Sequence, residues 1–596
     1  MFLRAKTRTK DGKTHRYWSV VENRRVSGGR VLQRQVLYLG ELNDTQRAGW
    51  IRTIEALEGN SSETRQLALF ADDAAAPREA PCETAEVRLS GITLRRPRQW
   101  GACWLSLHLW DLLKLDEFWK ERLPGSRKGT NWLNLLKALA AYRLIDPGSE
   151  YRFHRQWYSE SAMGDLLGED FGLAQKDKPY RCMDKLLAHR EGLFDHLRER
   201  WGELFGATYD VLLYDLTSTY FESDPPPPDS GSKRCFGYSR DHRPDCVQVV
   251  IALVVTPEGF PLAYEVYPGN TRDTATLREF LGRIEKRFGR ARRTWLMDRG
   301  VPTEETLEEM RKGGVQYLVG TPKGRLTKLE QSLLEKPWAE AREGVRVKTL
   351  KQEEEFYIYV QSRDRVAKER SMRRRRLKKL WAKLKELRKR KKQTRDALLM
   401  SLGAAKKEAG RTFGLVRLRV PAEGEPVNPQ TFSFELDRAK LRRAHRHEGR
   451  YLLRSNLSEA APEKVWENYL LLTRVEQAFK DLKGDLSIRP IHHQLDKRIE
   501  AHIFISFLAY CLHTTLRNLA RGASAGLTSR AILEKMSAIQ MIDVHLPTTD
   551  NRHIVLSRYT QPEKDQALLL AQLGLTLPEQ PPPRIYASGK VKLQPL

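Results

Sequence analysis

Apolar positions change their period several times along the chain, and each change marks a change of element. Two β-rich runs, Tyr17–Val21 and Val31–Leu39, lie between turn signals at Asp11-Gly12 and Gly28-Gly29, and predict a small β-meander over residues 1–42. Residues 66–88 are rich in Ala, Pro and acidic side chains and read as a linker. From Trp100 to about Glu203 the spacing becomes helical, beginning with Trp104, Leu107, Trp110 and Leu113, and predicts a helical domain.

Between residues 209 and 320 three apolar runs follow one another: Val211–Tyr214, Val247–Val255 and Phe260–Tyr267. A helical stretch (Asp273–Phe288), a short strand (Thr294–Met297), a second helix (Thr303–Lys312) and a last strand (Val315–Val319) come next. The order β-β-β-α-β-α-β predicts an α/β fold with a mixed sheet. From residue 321 to 460, strand-like segments (Glu355–Val360, Phe413–Val420, Thr431–Leu436, Tyr451–Ser455) flank one long helix over Arg363–Arg395. Its Leu377, Leu380, Leu384 and Leu387 recur at steps of 3, 4 and 3, giving an apolar seam. Helical spacing returns from Glu463 to Ala520 and near residues 528–539, before a Pro-containing tail. These changes divide the chain into a meander segment (1–65), a linker (66–99), a helical domain (100–208), an α/β core (209–320), a β-rich insertion with the long helix (321–460), the helices completing the core (461–545) and a tail (546–596).

Charge narrows the partner. Lys and Arg number 104 against 76 acids, a net of +28, and the long helix alone carries 18 cations against three acids over Arg363–Arg395. Such an excess attracts polyanions, and nucleic-acid phosphate is the commonest in a cell. The helix reads as a DNA-backbone contact, a coiled-coil arm or a solvated surface helix. The six cysteines are scattered and fit a reducing cytosol; Cys235, His242 and Cys246 lack the paired spacing of structural zinc sites. No apolar export signal opens the chain, and the apolar stretch Ile503–Leu512 is about half of what a bilayer needs, which predicts a buried helix and no membrane partner.

Three carboxylates carry the candidate chemistry. Asp215 follows Val211–Tyr214 and Asp298 follows Trp295–Met297, so each is expected at a strand end. Tyr469, Leu472, Glu476, Phe479 and Lys483 are spaced by 3, 4, 3 and 4, which puts them on one helical face. Carboxylates gathered at a sheet edge repel one another unless divalent cations join them, and two Mg²⁺ ions about 4 Å apart can drive phosphodiester displacement.

At these residues the chain resembles the DDE transposases of bacterial insertion sequences, in the group marked by Tyr-x2-Arg-x3-Glu-x6-Lys. Tyr469, Glu476 and Lys483 match that signature, while Leu472 stands at the Arg position. YDLTSTYFE (214–222), GYSRDHRPD (237–245), MDRG (297–300), RPIHH (489–493) and RIEAHIFISFLA (498–509) extend the likeness. The resemblance implies an RNase-H-like core with Asp215, Asp298 and Glu476 as metal ligands for two Mg²⁺ or Mn²⁺ ions, and a β-rich insertion before the Glu. It also implies DNA contacts from Lys483 and Tyr469, with Arg240 and Arg299 as further phosphate contacts. The expected partners are double-stranded DNA, as terminal inverted repeats and target, and a second copy of the chain. The expected reaction is cleavage of transposon ends and strand transfer in the bacterial cytosol; the alternatives are an RNase-H-like nuclease that does not join strands, and a domesticated DNA-binding protein without catalysis.

Overall fold

The structure is a computed structural model that describes residues 1–10, 13–25, 31–67, 85–126, 129–175, 177–227, 230–288, 293–298, 301–321, 332–333, 336–352, 354–390, 393–457, 462–524 and 526–586. The turn pairs Asp11-Gly12 and Gly28-Gly29, most of the 66–88 stretch and Arg299 lie outside them.

Three strands open the chain, β1 (Phe2–Lys10), β2 (Lys13–Arg25) and β3 (Val31–Gly40), followed by helix α1 (Asp44–Leu67). Strand β4 (Thr93–Gln99) precedes α2 (Gly101–Leu112), α3 (Trp132–Ile145) and α4 (Arg190–Phe205). Then come β5 (Val211–Tyr220), β6 (Gln248–Val255), β7 (Pro261–Pro268), α5 (Asp273–Phe288), β8 (Thr294–Met297), α6 (Glu304–Lys312) and β9 (Gln316–Gly320), in the predicted order. The insertion holds β10 (Ala339–Arg342), β11 (Val345–Gln352), β12 (Glu355–Ser362), α7 (Arg363–Lys389), α8 (Arg395–Ala409), β13 (Val416–Arg419), β14 (Ser433–Leu436), α9 (Arg438–Arg446) and β15 (Arg450–Ser455). Helices α10 (Pro462–Leu470), α11 (Leu472–Lys483), α12 (Asp496–Arg521) and α13 (Ser529–Met536) lead to β16 (Gln540–Pro547), β17 (His553–Tyr559), α14 (Lys564–Leu573) and β18 (Arg584–Tyr586). The chain forms a mixed α/β architecture in two compact units: Met1–Lys6, Arg16–Arg293 and Leu471–Leu596 make the first, Thr7–His15 and Thr294–Leu470 the second.

In the first unit β5, β6 and β7 form an antiparallel meander, with Leu213 opposite Val255 and Ile251 opposite Val266. Every residue of β6 is buried, which explains its unbroken apolar run. Helix α11 packs on β5 and β6, and α12 packs on α3. By length and composition α12 could cross a bilayer, but 94% of its apolar window is buried inside the protein, so it is a core helix. Its apolar run is longer than the Ile503–Leu512 stretch suggested.

Three segments depart from expectation. Residues 44–67, grouped with the meander, form helix α1, whose Trp50 indole N–H donates to the Ala523 carbonyl at 2.8 Å. Residues 93–99, read as linker, form β4, which pairs with β16; β17 and β18 from the supposed tail complete that sheet. Arg98 is the one buried residue of this otherwise largely exposed cationic strand: its guanidinium is 1% exposed and bonded to Asp165 at 2.7 Å and Asp543 at 3.0 Å. A buried charge this well paired costs little, whereas either acid removed would leave it stranded.

In the second unit β8 and β9 run parallel, joined through α6, and β9 continues into an antiparallel series with β15, β12, β11 and β10. Buried Glu355 accepts from Arg454 at 2.7 Å and also from Arg311 and Tyr317, tying β12 to β15, α6 and β9. The long basic helix is shorter than predicted. It starts at the cap Ser362, ends at Lys389, and gives way to α8, capped by Thr394. The leucine seam meets this second helix: Leu380, Leu384 and Leu387 form one core with Leu398, Leu402, Val416 and Phe432.

Candidate active site

Asp215 lies within β5, paired with Leu253, rather than at the strand's end. The strand continues because Leu216, Thr217, Ser218 and Thr219 are all buried against β6, although three of them are polar. Asp215 itself is half-buried between buried neighbours, and its Oδ1 accepts from the Leu216 N–H at 2.8 Å.

The Tyr469–Lys483 stretch is divided between two successive helices. A break at Leu471 leaves Tyr469 on α10, while Glu476 and Lys483 are on α11. Helix α10 packs on β9 and β10, and α11 on β5, β6 and α12, so each turns its own apolar stripe to its own neighbours. Tyr469 stacks on Tyr451, with centroids 5.4 Å apart. Leu472, at the signature Arg position, is buried in the first turn of α11, and Arg474 is exposed.

Two acids on α11 have opposite fates. Asp481 is buried and accepts from Gln477 at 2.6 Å and Arg517 at 2.7 Å, with His513 at 3.8 Å; burial pushes its carboxyl up, while His513 and Arg517 pull it down. Glu476, five residues earlier, is exposed, on a helix that packs against the strand bearing Asp215. Asp298 belongs to the second unit, where it is exposed at the carboxyl end of β8.

Lys483 is committed elsewhere than its neighbour Asp485. Its Nζ donates to Asp241 Oδ1 at 2.8 Å, and Arg489 pairs with the other oxygen of the same carboxylate. Burial pushes the Lys483 ammonium down and Asp241 partly restores it. Asp485 faces His513 at 3.4 Å instead. Asp241 is thus the residue that sequence reasoning missed, although it stands in the quoted segment GYSRDHRPD, next to Arg240. The segment is fixed in place: Gln248 donates to the carbonyls of Tyr238 and Gly269 at 3.1 and 2.9 Å, and Lys233 reaches Glu500 at 2.7 Å. Gly237 has no room for a side chain, since a Cβ would lie 2.0 Å from the Gly269 carbonyl oxygen. The Arg240 N–H donates to Ser218 Oγ on β5 at 3.2 Å, and Tyr238 stands 82% exposed beside it.

Among the described residues one further cluster offers metal-ligand atoms: Glu150, His493 and His502. Glu150 lies 3.2 Å from His493 Nε2 and 3.3 Å from His502 Nδ1. The buried Arg143 guanidinium, 3.7 Å from Glu150 and 3.5 Å from His502, already supplies the positive charge a metal would bring. Burial and Arg143 push the His502 imidazole down to about 4. The cluster ties residues 488–493, which follow α11, to α3 and α12.

A family model described as "Transposase DDE domain" matches residues 206–512, more than half of the chain. The chain belongs to the DDE transposases. A second model, "IS1634 family transposase, N-terminal domain", matches residues 3–66 of the transposase, where β1, β2, β3 and α1 lie. No curated protein matches. Among solved structures, a cryo-EM piggyBac transposase synaptic complex with hairpin DNA aligns over 72% of this chain and 79% of its own, with a TM-score of 0.35 and 8% identity. As a DDE transposase the protein is an enzyme of DNA transposition, in a family that generally uses divalent metal.

Proposed function

We propose that Asp215, Asp298 and Glu476 hold two Mg²⁺ or Mn²⁺ ions in an RNase-H-like core, and that the transposase cuts the terminal inverted repeats of its element and joins the 3′-OH ends to target DNA. The observation that carries this reading is the contrast on α11: Asp481 is consumed by internal partners, while Glu476 is left exposed on the helix that packs against Asp215's strand. Oxygen-only ligands at three carboxylates suit hard divalent ions. Such ions, when bound, activate the attacking oxygen and stabilise the leaving one.

The chain's own side chains supply position and charge. Lys483 and Arg489 set two cations against the single carboxylate of Asp241, so this corner keeps a net positive charge that one DNA phosphate balances. Lys483 holds the loop carrying Arg240, and Arg240 and Arg299 meet the phosphates flanking the cut. Tyr469 packs on the terminal nucleotide. Water attacks first and the DNA 3′-OH second, with no covalent protein intermediate. Two copies of the chain pair the two ends, in the cytosol where the DNA lies.

Asp215→Asn, Asp298→Asn and Glu476→Gln should each abolish Mg²⁺-dependent cleavage and joining in a gel assay on end duplexes, while the folded signal and DNA affinity persist. Substantial cutting by any one of them removes that residue from the metal site.

A further inference from the structure

The second unit carries a charged surface that the three acids do not use. Helix α7 spans 27 residues, about 40 Å, and its apolar seam is already filled by α8 and β14, so it has no free stripe for a partner helix. What remains outward is cationic. Glu448 pairs with both Arg370 and Arg373, Glu369 pairs with Arg365, and Glu386 pairs with Lys383 and Arg390. Arg374, Lys378 and Lys385 are exposed and have no ion-pair partner among the described residues.

A second basic helix joins this face. In α9 no residue is buried, and Arg442, Arg443 and Arg446 are exposed. Partial desolvation and the nearby charges of Arg373, Arg370 and Arg374 push the imidazole of its His445 down. Arg370 and Arg373 of α7 share one buried acid, Glu448, two residues beyond the end of α9.

We propose that the α7–α9 face is a sequence-independent contact for the phosphate backbone of double-stranded DNA, distinct from the three acids, and it rests on the reading above only in taking DNA as the substrate. A straight helix of about 40 Å matches about 12 base pairs of duplex. Single-stranded nucleic acid is the weaker fit, because it calls for aromatic stacking platforms and the aromatic ring of α7, Trp381, is packed against Phe434. A lipid surface is excluded by the want of an exposed apolar face, since Met372 is the one large apolar side chain of α7 that is exposed.

The test is binding of the full chain in EDTA, where nothing is cut, to an element-end duplex and to an unrelated 30-base-pair duplex over a range of salt. The triple variant Arg374→Ala/Lys378→Ala/Lys385→Ala should bind both duplexes more weakly, and the slope of log K against log salt should fall by about 2.7, at about 0.9 per lost phosphate contact. Arg374→Lys/Lys378→Arg/Lys385→Arg should keep the wild-type slope, which separates charge from packing. An unchanged slope in the alanine variant overturns the proposal, as does a loss confined to one sequence. So does weakened binding of a single-stranded RNA with duplex affinity intact. None of these outcomes depends on whether Asp215→Asn cuts DNA, so failure here and failure of the metal site are read separately.

Discussion

Helices α7 and α12 have nearly equal lengths, 27 and 26 residues, and opposite relations to water. In α12 almost every position from Ile499 to Leu516 is buried, and stability comes from packing all round. In α7 only Leu380, Leu384 and Leu387 are buried, and the rest is a cationic surface. Length therefore tells nothing of a helix's task; the width of its apolar stripe does. A wide stripe makes a helix a structural axis, and a narrow one leaves most of its surface for a partner.

The sharpest way to break that contrast is to truncate a side chain of α12. Phe504 is fully buried and meets Trp119 edge-on, so Phe504→Ala should cost about 3 to 5 kcal/mol, read as a lower denaturant midpoint. A cost below about 1 kcal/mol would mean that α12 is not the axis of its unit.

A smaller effect tests the polar residue inside the same helix. Unfolded His502 takes up a proton near 6.5, but the folded imidazole, disfavoured by burial and Arg143, does so only near 4. Between those values the unfolded state binds more protons, so stability is full above 6.5 and falls as the pH drops toward 4, by about 1.4 kcal/mol per pH unit. His502→Gln should flatten the stability profile across this window, and an unchanged profile would mean that the imidazole is already charged in the fold.

The smallest effect is expected on α7. Arg374→Ala in DNA-free protein should change stability by no more than about 0.5 kcal/mol. A larger loss would show that the cationic face holds the second unit together and is not reserved for a partner.

Much of the fold was legible because periodicity reports burial directly. The run β5-β6-β7-α5-β8-α6-β9 emerged in order, since each strand is an apolar run and each helix between them is amphipathic. What stayed hidden was settled by distant partners. Thr93–Gln99 looks like linker because the acids that bury Arg98 lie at positions 165 and 543. Asp215 looked like a strand end because Thr217, Ser218 and Thr219 are polar, yet the ladder to β6 carries them inside. The break at Leu471 left no trace in apolar spacing, which continues on both sides while the neighbours change. The three acids could be named from their motifs, but Asp241 could not be given its role until the fold brought Lys483 and Arg489 to it.

The sheet built from β4, β16, β17 and β18 also orders events in time. Arg98 leaves the ribosome long before Asp543, and the whole of 294–470 is made while the first unit still lacks α11 and everything after it. At about 5 to 20 residues per second that interval lasts about 9 to 35 s. Throughout it Arg98 has at most one of its two carboxylates, and Asp215 is translated without the helix that bears Glu476. A product stopped before β16 would therefore keep the Arg98 guanidinium short of one of its two carboxylates.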